Sequence, residues 1–580
     1  MTRLYNEPSD FAAEMTEGFV AANPQYVRSV HGGVVRSTRV ADGTPALVVG
    51  GGSGHYPAFA GLVGPGLAHG AVMGDLFASP SAQQVHTVAT AVESGGGVLL
   101  SYGNYAGDVL NFDAAERRLR VEGVAVETVR VTDDISSAPR DEKENRRGIA
   151  GDLVVFKVAG AAAEAGADLA ATARVARRAN ERTRSFGVAF SGCTLPGAPE
   201  PLFTVPEGRM GVGMGIHGEP GIDETDVPTA DGLAALLVSA LLDELPDGVD
   251  TVRGARVVPL LNGLGAVKYE ELFVVYRAVS RLLAEAGAEV IDPHVGEFCT
   301  SFDMAGASLT LFWPDAELED LWTAPADTPA FRRGGMAPAE RVEAIPDAAP
   351  DAADLSPAPP ATPDSRAVAD RIAVAFAVVR EAIDGAAAEL GRIDAVAGDG
   401  DHGIGMQRGT RAAADAAARA VERGAGAGTT LGRAADAWAE RAGGTSGALW
   451  GTALSAAAGV LGDDGAPSAQ TVSAAVDAAA AAIQSAGGAT LGDKTMIDAL
   501  LPFRDALAER VAAGDDLPTA WSAAADIATE AAASTAALLP RLGRARPHAE
   551  HSLGTPDAGA TSLALVARAV APLLTREDAR

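Results

Sequence analysis

The sequence predicts an α/β amino-terminal region followed by an all-α carboxyl-terminal region, and three observations carry this reading. Residues 1–325 alternate short β-rich runs with longer amphipathic stretches, the pattern of layered α/β architecture. Residues 326–365 shift to Pro, Ala and Asp, as in Ala349-Pro350-Asp351-Ala352-Ala353 and Ser356-Pro357-Ala358-Pro359-Pro360, the composition of a semi-extended linker. Residues 366–580 then run through Ala-rich segments with no strand-like alternation. At 580 residues the chain is longer than one hydrophobic core supports, and its 47% of hydrophobic residues supplies several.

In the first region, Ala46–Val49, Val98–Ser101, Val126–Thr132, Val188–Phe190, Val257–Leu261 and Leu309–Trp313 read as strands. Gly151–Glu164 and Leu169–Arg182 read as helices between them. In the last region, eight helices are expected near 366–390, 405–423, 430–442, 446–460, 469–486, 495–513, 517–537 and 558–576. Turns such as Gly424–Gly428 and Gly462–Gly465 separate them, and no fixed period points to a solenoid.

Composition narrows the function. A net charge of −30 repels phosphate backbones and anionic lipid surfaces, so neither nucleic acid nor membrane is an expected partner. Such a chain would handle a polyanion through a divalent cation. Apolar runs stop well short of the roughly 18–20 residues of a membrane helix. Met1–Pro8 carries an acid and a proline where a secretory signal would be apolar, and a cytoplasmic location is expected. The only cysteines, Cys193 and Cys299, fit buried thiols in a reducing compartment.

Three segments of the first region can meet a ligand. Strand Ala46–Val49 runs into Gly50-Gly51-Gly52-Ser53-Gly54-His55, where backbone amides can come close to a bound group, although such runs also bind nucleotides or simply turn. Tyr102-Gly103-Asn104-Tyr105-Ala106-Gly107-Asp108 follows a strand end, the place where open α/β sheets gather ligand groups, although an Asp in a Gly-rich turn also serves as a turn former. In Gly211-Val-Gly-Met-Gly-Ile-His217-Gly-Glu-Pro-Gly221 the glycines leave the imidazole unobstructed.

Taken in order, Gly-Gly-Ser-Gly-His, Gly-Asn-Tyr-x-Gly-Asp-x-Leu-Asn-Phe and Gly-Ile-His-Gly-Glu-Pro-Gly resemble the substrate-binding subunit of dihydroxyacetone kinases, over nearly all of residues 1–325. The resemblance implies two α/β subdomains and a ketose held covalently, as a hemiaminal, on the His217 imidazole. It makes Asp108 the general base on the terminal hydroxyl and gives His55 a part in hemiaminal formation. Gly52, Ser53 and Gly54 would hold the remaining hydroxyls. Gly103 and Tyr56 would line the same pocket.

In the helical region, Asp394-Ala-Val-Ala-Gly-Asp399-Gly-Asp401-His402-Gly403 gathers three carboxylates of the kind that suit Mg²⁺, although a bare Asp-Gly-Asp also serves as a solvated turn. Gly443-Gly-Thr445-Ser446-Gly447 opens a helix, a favourable place for phosphate. Gly488-Ala-Thr-Leu-Gly492-Asp493-Lys494-Thr495 is not a P-loop, because Asp493 separates Gly from Lys and no strand precedes it. With Gly543-Arg544 and Gly554-Thr555-Pro556-Asp557-Ala-Gly559, these segments resemble the ATP-binding subunit of the same family, an eight-helix barrel. The resemblance makes Asp394, Asp399 and Asp401 the metal ligands. It sets His402, Thr445, Ser446 and Arg544 about the phosphates and Gly492, Met496 and Asp557 about the nucleoside, and counts Asp401, Gly403, Thr555 and Pro556 among the ATP-binding residues. Fusion of both subunits implies ATP as the donor, with a homodimer formed through the ketose-binding region.

Departures from the family pattern set the expected substrate. Arg546-Pro547-His548-Ala549 stands where Ser-Tyr-Leu-Gly is common, Tyr56 where Glu is common, and Gly103 where Lys is common. The last two changes imply extra room and neutral hydrogen bonding beside the substrate. Gly-His55-Tyr56-Pro-Ala-Phe59-Ala-Gly is similar to the erythrulose kinase subgroup, so D-erythrulose is the expected substrate, with L-erythrulose and dihydroxyacetone as the alternatives. A ketose sensor lacking catalysis is disfavoured, because His217, Asp108 and the three metal acids are all present. A nucleotide-cyclising lyase activity is expected to be a side reaction at most.

Overall fold

The computed structural model describes residues 4–219, 221–335, 358–396, 398, 400–542 and 552–575. The chain divides into two compact units, Met1–Asp347 and Ala348–Arg580.

The first unit is built on two sheets. In one, strands β1 (Val27–Val30), β2 (Gly33–Arg36), β3 (Ala46–Ser53), β4 (Gly70–Leu76), β5 (Val98–Gly103) and β6 (Val126–Val131) lie in the order β1-β2-β4-β3-β5-β6. Strands β3, β4, β5 and β6 pair in parallel, while β1 and β2 add an antiparallel edge. Strand β3 is buried along its whole length, as its continuous apolar run requires of a central parallel strand.

The other sheet joins β7 (Thr183–Ala189), β8 (Arg209–Val212), β9 (Asp223–Asp226), β10 (Arg256–Gly263), β11 (Glu289–Val290), β12 (His294–Gly296) and β13 (Gly306–Phe312). Its order is β11-β10-β13-β7-β8-β9, with β12 beside β10. Helix Asp152–Glu164 is almost wholly buried and shares one core with Leu47 and Leu99 of the first sheet and Leu260 and Phe312 of the second. That shared core fixes the two sheets relative to each other within this unit.

Two boundaries differ from the sequence reading. Strand β7 begins at Thr183, five residues before Val188, because Arg184 and Ser185 are polar yet buried. Arg184 donates to the carbonyls of Glu181 and Thr183, and Ser185 pairs its hydroxyl with Thr310 across the ladder at 2.6 Å. The stretch read as linker also opens with structure, since β14 (Ala326–Asp327) pairs with β15 (Arg332–Arg333). Tyr26 donates to Asp327 at 2.8 Å, Arg333 pairs with Asp292, and Phe331 is buried, so this hairpin belongs to the first unit. Residues 336–357 of the expected linker lie outside the described residues.

Among the described residues the second unit consists of eight α-helices and one short 3-10 turn: Pro363–Asp394, His402–Glu422, Ala427–Ala442, Gly444–Leu461, Ala469–Gly487, Ile497–Ala512, Leu517–Ser534 and Ala558–Leu574. The first begins at Pro363, inside the expected linker, with the Thr362 side chain capping Ser365 N and proline at the first helical position. Each helix packs on the next and the last packs on the first, so the eight close on themselves. Small alanines let the helices approach, and Trp438 stacks on Trp450 with ring centroids 4.9 Å apart to fill the centre. No described helix is long and apolar enough to cross a membrane.

Candidate active site

The carboxyl ends of parallel strands β3, β4 and β5 open onto one place, where open α/β sheets expose their loops. Strand β3 delivers Gly52, Ser53, Gly54 and His55. Gly54 holds a φ of +105°, and a β-carbon there would lie 2.8 Å from the Phe77 ring, so only glycine makes this turn. Ser53 is buried and donates its hydroxyl to Gly74 O at 2.6 Å. Gly52 packs against the Phe77–Ala78 backbone, where a β-carbon would stand 2.8 Å from Ala78 N.

His55 is 1% exposed and lies flat on Phe77, with centroids 5.0 Å apart. Its Nδ1 is 2.8 Å from the carbonyl oxygen of Thr300, which can only accept, so Nδ1 carries a proton. The loop between β8 and β9 brings His217 against it. His217 N donates to Glu219 Oε2 at 3.0 Å, and His217 Nδ1 donates to Glu219 Oε1 at 3.1 Å. The two Nε2 atoms then face each other at 3.0 Å. With both Nδ1 atoms already protonated, a hydrogen bond between them needs one shared proton more than two neutral rings supply.

Glu219 is itself anchored. Arg147 stands 3.8 Å from Glu219 Oε2 and binds Asp134 Oδ2 through Nε at 3.0 Å and Nη2 at 2.8 Å. A β-carbon at Gly215 would lie 2.2 Å from Glu219 Oε2 and 2.6 Å from Arg147 Nη1, so glycine is what lets this pair cross the loop. Sequence reasoning passed over Glu219, although an acid two residues after a histidine in a glycine-rich loop is a legible sign of an oriented imidazole. It also passed over Tyr105, whose ring meets His217 edge-on at 4.6 Å while its hydroxyl donates to Gly148 O at 2.9 Å.

Asp108 lies buried in the first turn of helix Ala106–Val121, which leaves the end of β5. The two substitutions expected to widen the pocket behave differently. A β-carbon at Gly103 would sit 3.1 Å from the Tyr105 ring and 3.2 Å from Gly148 O, so a side chain there would press on both. Tyr56 is 48% exposed and its ring meets Phe19 edge-on at 5.9 Å; the described contacts do not bring it to His217 or Asp108.

In the helical unit, Asp394 ends one helix and Asp401 immediately precedes the next, with His402 N donating to Asp394 Oδ2 at 3.3 Å. Both residues carry hard carboxylate oxygens of the kind that suit magnesium. Asp399, the third expected ligand, lies outside the described residues, and among those described no group of three acids or histidines gathers to hold a metal. Arg544 and the divergent Arg546–Ala549 loop also lie outside them.

His402 is buried between Ser562 Oγ at 2.9 Å and Ser446 Oγ at 3.3 Å, tying helix Gly444–Leu461, which Thr445 and Ser446 begin, to helix Ala558–Leu574. Gly403 serves helix packing, since a β-carbon there would lie 2.0 Å from Ala387 O. Gly492 N donates to Asp498 at 2.5 Å, and Met496 begins the next helix. Lys494 gives its ammonium to Ser552 O at 2.6 Å and Ser552 Oγ at 3.0 Å, in keeping with a loop that is not a P-loop. Thr555 N donates to Ser552 O at 3.1 Å, and Pro556 leads to Asp557, which caps the last helix through Ala560 N at 2.7 Å. Burial pushes the Asp557 carboxyl up to about 7, with Asp394 and Asp498 adding to the rise.

Comparison with known proteins covers the chain end to end. Residues 17–330 match the Dak1 domain and residues 396–572 the DAK2 domain. The chain is 61% identical to L-erythrulose kinase of Pectobacterium atrosepticum, across 100% of this chain and 97% of the relative. It is 55% identical to D-erythrulose kinase of Mycolicibacterium smegmatis, across 99% of each. Among solved structures, the dihydroxyacetone kinase of C. freundii in complex with AMP-PNP and Mg²⁺ is 30% identical, with a TM-score of 0.52 over 98% of this chain and 99% of that one.

Proposed function

The chain belongs to the dihydroxyacetone kinase family, as an ATP-dependent kinase of a small ketose, and from that premise we propose that it phosphorylates the four-carbon ketose erythrulose while holding it as a hemiaminal on His217. The observation that carries the covalent step is the opposed pair of Nε2 atoms, 3.0 Å apart, on two histidines whose Nδ1 atoms are both committed to acceptors. The shared proton resides on His55 when a ketose carbonyl enters. His217 Nε2 adds its lone pair to the carbonyl carbon, the π electrons move to oxygen, and His55 Nε2–H protonates that oxygen. The new C–N bond leaves a positive charge on the His217 ring, which Glu219 offsets through Nδ1. Net charge is unchanged across the step.

Asp108 then takes the proton of the terminal hydroxyl as its oxygen bonds to the γ-phosphorus and the bond from that phosphorus to the β-phosphate oxygen breaks, releasing ADP. Asp394, Asp399 and Asp401 are the residues that would hold magnesium, which would supply positive charge to offset that of the phosphates. A cytoplasmic homodimer belongs to the same proposal.

The four-carbon substrate is supported by identity to relatives named for erythrulose of either hand. The sequence reading favours the D form. Measuring kcat/KM with D-erythrulose, L-erythrulose and dihydroxyacetone tests it, and the expected result is one erythrulose enantiomer ahead of dihydroxyacetone by about 10-fold or more. Dihydroxyacetone ahead of both by that factor would remove the four-carbon reading and leave the kinase.

A further inference from the structure

Asp152 opens helix Asp152–Glu164 and is 2% exposed, and its Oδ1 is buried with no hydrogen-bond partner among the described residues. A buried carboxyl left in that state forfeits the hydrogen bonds it makes in water, more so if it is charged, so such a group calls for a partner that a bound molecule can supply.

The surroundings of Asp152 are those of the ketose site. A β-carbon on Gly148 would lie 3.0 Å from Asp152 Oδ1 and 2.5 Å from the α-carbon of Gly103, so the three residues pack as one cluster. Gly148 O takes the Tyr105 hydroxyl at 2.9 Å, and the Tyr105 ring abuts His217. The charge of Asp152 is felt by Cys299, the residue before Thr300, whose carbonyl fixes His55. The Asp152 carboxyl also lies within the electrostatic reach of Asp108. Burial, with the charges of Asp133 and Asp108, holds it well above the usual carboxylate range, which favours the neutral acid, with one O–H to give and one oxygen to accept.

We propose that Asp152 is a specificity-determining residue of the ketose site, whose carboxyl hydrogen-bonds the hydroxyl that a four-carbon ketose carries beyond a three-carbon one. It stands beside Gly103, where the sequence places no side chain of its own to meet that hydroxyl. The inference rests on the four-carbon reading given above.

The test is the ratio of kcat/KM for erythrulose to kcat/KM for dihydroxyacetone, compared between the wild-type chain and variants. Asp152→Ala should lower that ratio by about 10-fold or more, with dihydroxyacetone turnover held within about 3-fold, because a hydroxyl seen by a dedicated partner is worth at least that much. Asp152→Asn keeps a neutral donor and acceptor in the same shape and should hold the ratio within about 3-fold of wild type. If the alanine variant fails to fold, Asp152→Val, which fills the volume, is read in the same way. A ratio unchanged in the variant without a carboxyl, whether both activities fall together or neither does, overturns the proposal. The wild-type values alone judge the four-carbon reading, and the change on substitution alone judges Asp152, so either can fail without the other.

Discussion

His55 Nε2 and His217 Nε2 stand 3.0 Å apart with their ring planes at 89°. Each ring spends its other nitrogen on a fixed acceptor, Thr300 O for His55 and Glu219 for His217. In the proposed step His55 protonates the ketose oxygen, and His55→Ala removes that group. Hemiaminal formation should slow by about 100-fold or more, the usual scale of positioned acid catalysis. Carbon-13 NMR of a carbonyl-labelled ketose mixed with enzyme reads the adduct directly. An adduct forming at the wild-type rate without His55 would end this account of the pair.

Glu219 acts on the same step through His217. Glu219→Gln replaces a charged acceptor by a neutral amide, so His217 loses both its preference for the Nδ1 proton and the charge that balances the adduct. Hydrogen bonds to charged groups contribute about 1.5–3 kcal/mol, so kcat/KM for the ketose should fall by roughly 10- to 100-fold. Binding of ATP, measured by calorimetry, should stay as it is. Equal losses in both measurements would mean that Glu219 only supports the fold.

Much of this architecture was legible in the sequence because its elements follow their periods. The Ala-rich helices and the apolar cores of β3, β5 and β10 fall close to where propensity and alternation put them. The misses share a cause, which is polar residues paired out of sight. Arg184 and Ser185 look like loop until Glu181 O, Thr183 O and Thr310 are found beside them. Asp327 and Arg333 look like linker until Tyr26 and Asp292 meet them. The histidines and Asp108 could be picked out by their glycine-rich settings and a family likeness. Glu219, Arg147 and Asp134 could not be joined into a relay, because Asp134 and Arg147 come from a different stretch of chain than Glu219.

Acid should weaken the first unit through His69. Its Nδ1 accepts from Leu47 N at 3.1 Å, and burial, with Arg36 nearby, depresses its pKa to about 3. In the unfolded chain the ring titrates near about 6.5, so between those values the unfolded state binds a proton that the folded state refuses. Stability is therefore full above about pH 6.5 and falls as pH drops, by about 1.4 kcal/mol per unit. Urea unfolding of wild type and His69→Gln from pH 7 to about pH 5 should show the steeper loss in wild type. Parallel curves would count against a buried neutral imidazole.

Asp401 carries the last test, which separates the chemistry of the two units. Asp401 stands just before helix His402–Glu422 in the second unit, while His217, His55 and Asp108 all belong to the first unit. Asp401→Asn keeps the shape of the side chain but removes the charge that a divalent cation needs. Phosphoryl transfer should drop by more than about 10-fold, a barrier increase above about 1.4 kcal/mol. Calorimetry should show weaker binding of magnesium-loaded AMP-PNP, while carbon-13 NMR should still show the ketose adduct at full occupancy. If transfer stayed above about a tenth of wild type, Asp401 would not be a ligand. If the ketose adduct vanished as well, the variant would be acting through the fold, and the assignment of the acid would have to rest on Asp394→Asn read by the same two measurements.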